Sequence, residues 1–131
     1  MVMLRMDPTF TVLILDPKET ATPVLKRMLG EIGIVQMEGM TNPVDALARL
    51  RETKPDILIT DWNMEPMGGN DLLRTVRGDP LLSTIPVMVV TTDPEPKQFF
   101  EAMDAGVNAY AIAPFSTQVL ASKLESMNLR R

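Results

Sequence analysis

Apolar residues in this chain fall in short, evenly spaced runs. Thr11-Val12-Leu13-Ile14-Leu15 is β-branched and stops at Asp16-Pro17. Ile34-Val35-Gln36-Met37 is a weaker run, and Ile57-Leu58-Ile59-Thr60 stops at Asp61. Val87-Met88-Val89-Val90 leads into Thr91-Thr92, and Val107 to Ile112 stops at Ala113-Pro114. Each run has strand length, and several are apolar on both faces. This is the signature of buried parallel strands, not of a sheet with one wet face.

Helical stripes lie between the runs. Val24, Leu25, Met28, Leu29 and Ile32 form one, with Thr22-Pro23 as its expected cap and first turn. Val44, Ala46, Leu47 and Leu50 follow Asn42-Pro43, and Leu72, Leu73 and Val76 follow Asn70. Phe99, Phe100 and Met103 follow Pro96 and end at Gly106; Leu120, Leu124 and Met127 follow Ser116. Almost all of the 11 prolines fall at these borders, where a missing N–H does no harm. Five strands alternating with five helices predict an α/β, doubly wound (βα)5 domain with helices on both faces of a parallel sheet. At 131 residues the chain holds one such domain, expected over 11–127, with tails at 1–10 and 128–131.

Composition narrows the chemistry. There is no Cys and no His, so thiolate and imidazole catalysis, Cys-based zinc sites and phosphohistidine are excluded. Carboxylates, hydroxyls and amides remain, and these suit a hard cation such as Mg²⁺. The net charge of −4 argues against a nucleic-acid partner. No run approaches the roughly 20 apolar residues of a membrane span, and Met1 to Arg5 has no signal-like apolar stretch. A cytoplasmic protein with no membrane partner is expected.

Ligands of open α/β sheets bind beyond the carboxyl ends of the strands. That rule picks out Asp16, Asp61 and Thr91, which end the first, third and fourth runs. Each alone also suits an ordinary turn or cap. Together on one rim, two carboxylates and a hydroxyl suit Mg²⁺ and a phosphoryl group.

Asp61-Trp62-Asn63-Met64-Glu65-Pro66-Met67-Gly68-Gly69 resembles the phosphoacceptor segment of response-regulator receiver domains of the CheY-like kind. Pro55-Asp56 before the third run, Ile85-Pro86-Val87, Ala105-Gly106 and Pro114-Phe115 fall in the family's order, from about residue 11 to 127. The resemblance implies a flavodoxin-like sheet of order 2-1-3-4-5. It also implies a module of two-component phosphorelay signalling that is not itself an enzyme. Asp61 takes the place of the phosphoacceptor, Thr91 of the switch hydroxyl and Tyr110 of the switch aromatic. Asp16, Asp61 and the main-chain carbonyl of Asn63 take the places of Mg²⁺ ligands. The implied partners are a sensor histidine kinase or phosphotransfer protein, and a downstream protein docking on the 96–127 face. A cis bond is implied before Pro114.

Two positions depart from the family. Pro17 replaces the second acid of the usual pair, and Ala113 replaces the usual Lys before Pro114. One first-shell anion and one phosphoryl-binding cation are lost, so Mg²⁺ affinity and phosphoryl stabilisation should both fall. Lys18 and Glu65 are candidates to restore a charge at the rim. The competing reading is a pseudo-receiver, a phosphorylation-independent protein-binding module. Trp62 suits either packing or contact, and of Phe99 and Phe100 one is expected to pack on the sheet.

Overall fold

The structure, a computed structural model, describes residues 5–93, 95–127 and 129. Five strands alternate with five helices: β1 (Thr11–Leu15), α1 (Thr22–Glu31), β2 (Gln36–Met40), α2 (Pro43–Thr53), β3 (Ile57–Thr60), α3 (Gly69–Gly78), β4 (Val87–Thr91), α4 (Pro96–Asp104), β5 (Ala109–Ile112) and α5 (Thr117–Ser126). The strands are all parallel and lie in the order β2-β1-β3-β4-β5. The chain therefore has the flavodoxin-like arrangement that the resemblance implies.

Strand side chains alternate between two apolar layers. Val12, Ile14, Ile57, Ile59, Met88 and Val90 pack against α1 and α5 through Leu25, Met28, Leu29, Leu120 and Leu124. Leu13, Leu15, Leu58, Val87, Val89 and Tyr110 face α2, α3 and α4. Parallel strands covered on both faces must be apolar on both, which is why β1, β3 and β4 read as continuous runs.

Several elements depart from the sequence expectations. The second strand is Gln36–Met40, not 34–37. It lies at the sheet edge and is mostly accessible, so it carries little apolar signal. Ile34 is fully buried just ahead of it, its N–H bonded to Leu29 O at 3.0 Å. The fifth strand begins at Ala109, two residues later than expected. Thr22 is the first residue of α1 and not its cap; Ala21 precedes it and supplies no capping side chain. Asn42 and Ser116 do cap α2 and α5, accepting from Val44 N and Val119 N at 2.8 and 3.2 Å.

The stripe expected on α4 is out of phase. Phe99, Phe100 and Met103 are 39%, 68% and 52% exposed, whereas Gln98 and Ala102 are buried. Phe99 meets Tyr110 edge-on at 5.2 Å, so its packing is partial; Phe100 faces outward. At the start of the chain, Met6 and Phe10 are buried in the α1/α5 layer, so the core extends ahead of β1. Of the C-terminal segment 128–131, only residue 129 lies among the described residues.

Candidate functional site at the carboxyl rim

The strand order puts β1 beside β3 and β3 beside β4, so Asp16, Asp61 and Thr91 emerge as neighbours. They line one small cavity of about 60 Å³, together with Lys18, Thr20, Thr60, Thr92 and Ala113. Sequence-predicted Asn63 and Tyr110 are not in its wall. Glu65 is exposed on the loop after β3 and also lies outside the cavity.

Asp16 is buried, and its carboxylate is held by main-chain donors. The amide of Lys18 donates to Oδ1 at 3.1 Å and that of Ala21 to Oδ2 at 2.7 Å. Asp16 thus folds the β1–α1 loop back and satisfies the amide entering α1, which lacks a cap of its own. Pro17 fits this tight loop but offers the rim no carboxylate.

Asp61 accepts the Trp62 N–H at 2.7 Å. Burial holds its carboxyl above the usual carboxylate range; the Trp62 amide opposes that, Asp16 adds to it, and Lys18 and the Asn63 amide pull the other way. Behind this residue, Trp62 is 6% exposed and packs in the α2/α3/α4 layer, so its role is packing. A Cβ on Gly69 would lie 2.6 Å from Trp62 Cε3, so only glycine lets the indole sit against the start of α3.

Thr91 is buried at the end of β4. Its hydroxyl oxygen accepts from Asp93 N at 3.0 Å and from Gln98 Nε2 at 3.0 Å. The same Gln98 amide nitrogen donates to Tyr110 Oη at 3.0 Å and to Asp93 O at 3.2 Å. Its amide oxygen accepts from Asn63 Nδ2 at 3.0 Å. Gln98 therefore ties Asn63, Thr91 and Tyr110 together, although no sequence signal marked it. A polar residue in the first turn of a helix normally faces water.

The rim offers Mg²⁺ few charged donors. Among the described residues no three acidic side chains cluster, in keeping with Pro17 replacing an acid. Mg²⁺ keeps several waters and needs only one or two protein carboxylates beside a phosphate oxygen. Asp61 and Asp16 supply that minimum, so the site fits a weakly held ion. The peptide bonds before Pro114 and Pro66 are both cis. Among the described residues no helix is long and apolar enough to cross a membrane.

The chain is 40% identical to the chemotaxis protein CheY of Pseudomonas aeruginosa over 116 residues, 88% of this chain and 94% of that protein. It is 37% identical to CheY1 of Helicobacter pylori over 116 residues, 86% and 92% of the two chains. The crystal structure of the signal receiver domain of a signal transduction histidine kinase from Syntrophus aciditrophicus superposes with a TM-score of 0.80 at 32% identity, covering 91% of this chain and 89% of that one. Residues 12–125 match the response regulator receiver domain family, and with the five-stranded 2-1-3-4-5 sheet and the Asp–Thr rim this chain belongs to that family.

Proposed function

We propose that the chain is a receiver of two-component phosphorelay signalling in which Asp61 is phosphorylated. The observation that carries the reading is the cavity at the carboxyl rim shared by Asp16, Asp61, Thr91 and Lys18. In the transfer, an Asp61 oxygen forms the new O–P bond while the donor's P–O or P–N bond breaks. The leaving group departs with the electron pair and takes a proton. Bound Mg²⁺ would offset negative charge on the carboxylate and phosphoryl oxygens. Asp61, the Asn63 carbonyl and Asp16 would hold it. Thr91 would donate its hydroxyl to the phosphoryl group, a role supported by its weak present donor contact, to Asp93 O at 3.4 Å.

Ala113 leaves the β5 side of the rim without a cation. Lys18 stands on the β1 side of the same cavity, and its charge already acts on Asp61. In this reading Lys18 takes over phosphoryl-charge stabilisation from the other wall. Lys18→Ala should slow phosphorylation about fivefold, roughly 1 kcal/mol of barrier, and adding Ala113→Lys should restore it. An unchanged rate in Lys18→Ala removes this role.

Exposed Phe99, Phe100, Met103, Ile112 and Val119 on α4, β5 and α5 support docking of a downstream protein on the 96–127 face. A histidine kinase or phosphotransfer protein is the proposed donor, and the cytoplasm the proposed compartment. The loss of an acid at Pro17 and of a Lys at Ala113 favours a second reading, a binding module that works without phosphate. Intact mass after incubation with acetyl phosphate separates the two. A Mg²⁺-dependent gain of one phosphoryl group, absent in Asp61→Asn, is expected. No gain with acetyl phosphate or with a phosphorylated histidine donor would favour the binding module.

A further inference from the structure

Gln98 is the odd residue of the rim. Glu95, Pro96, Lys97, Phe99 and Phe100 around it are exposed, yet it is 5% exposed and among the few buried polar side chains. Burying an amide costs free energy unless it is hydrogen-bonded. Here the amide bonds mainly to groups that can rotate away: the hydroxyls of Thr91 and Tyr110 and the side-chain amide of Asn63.

Donor arithmetic gives this arrangement its character. The amide nitrogen carries two hydrogens but has three oxygens in range: Thr91 Oγ1, Tyr110 Oη and Asp93 O. One oxygen is always shared or given up. Tyr110 can therefore leave without orphaning a buried donor, since Asp93 O and Thr91 remain to accept. Among the described residues, Gln98 makes the only hydrogen bond to the Tyr110 phenol. The other end of the same planar amide is anchored by Asn63, two residues past Asp61.

We infer that Gln98 is the positioning residue that couples the loop after Asp61 to Tyr110, holding the ring inward while Asn63 holds the amide. The inference deepens the reading of Thr91 and Tyr110 as the responding pair. Its test uses no phosphodonor, so it stands or falls separately from phosphorylation of Asp61. Tyr110 is the sole tyrosine and the chain has no cysteine, so tetranitromethane nitration, followed by peptide mass, reports the exposure of one ring.

Gln98→Met keeps length and removes all four bonds. It should nitrate about five- to tenfold faster than wild type, the population change expected for losing a neutral hydrogen bond to the ring. Asn63→Ala alters an exposed side chain that supports no core. It should raise the rate about two- to threefold, and the double variant should be no faster than Gln98→Met. A wild-type rate in Asn63→Ala would overturn the coupling, as would effects that simply multiply in the double variant. If Gln98→Met fails to fold by circular dichroism, the Asn63→Ala rate decides alone.

Discussion

The two ends of the sheet bury polar side chains in opposite ways. At the amino end, Arg77 of α3 is half-buried and donates five bonds. Two go to Gly106 O at 3.0 and 2.9 Å, and one each to Ser83 O at 3.1 Å, Ile85 O at 2.7 Å and Asn108 Oδ1 at 2.8 Å. Burial lowers its pKa from the ordinary arginine value, but an arginine stays charged in proteins. Four of the five bonds end on main-chain oxygens of the loops leading into β4 and β5. Gly106, at φ +97°, lies so close that a Cβ there would be 3.2 Å from Arg77 Nε. At the carboxyl end, Gln98 distributes three of its four bonds to side chains. A rigid acceptor set fixes one arrangement; rotatable partners permit two. Main-chain acceptors hold Arg77 at one rim, and rotatable side chains hold Gln98 at the other, where Asp61 lies.

Substitutions can break this contrast. The largest effect should come from Arg77→Met, which orphans several carbonyls at once; we expect a loss of about 3 kcal/mol in urea unfolding. Phosphorylation kinetics of the folded fraction should stay within twofold. Gln98→Met should cost less, about 1–2 kcal/mol, because Asp93 N still serves Thr91 and the Asn63 amide can turn to water. A Gln98→Met loss as large as that of Arg77→Met would erase the distinction between locked and responsive rims.

The smallest effect concerns Asp61. Its carboxyl pKa is raised in the folded chain, mainly by burial. The folded state therefore binds more protons than the unfolded state as pH rises from the unfolded value towards the raised one. Stability falls across that window and stays lowered above it. Asp61→Asn removes the penalty, so it should be more stable than wild type at pH 7. The advantage should vanish as pH falls below the ordinary carboxylate range. Urea titrations at both pH values check it, and a pH-independent difference would refute it.

Much of this was readable from residue order alone. β1, β3 and β4 are apolar on both faces because helices cover both, so their runs were plain, and the rim residues follow from where those runs stop. β2 lies later than its apolar run because this edge strand carries Gln36, Glu38 and Gly39 instead of a continuous apolar run. The apolar stripe of α4 gives the wrong phase because its largest apolar side chains face outward, while Gln98, Ala102 and the following Ala105 turn inward. Hydrophobic periodicity assumes that polar residues seek water, and Gln98 breaks that assumption by bonding its amide to protein groups, the buried Thr91 and Tyr110 among them. Tyr110 stands at the family's aromatic position, but its link to Thr91 through Gln98 has no signature in the sequence.

The central claim is that a phosphoryl group on Asp61 is felt at Tyr110. The direct measurement is ¹⁹F NMR of the chain labelled with 3-fluorotyrosine, which has one tyrosine to label. Acetyl phosphate with Mg²⁺ should move or split that resonance in the wild type and leave Asp61→Asn unchanged. A chain shown by mass to carry the phosphoryl group, with the Tyr110 resonance unmoved, would contradict the account.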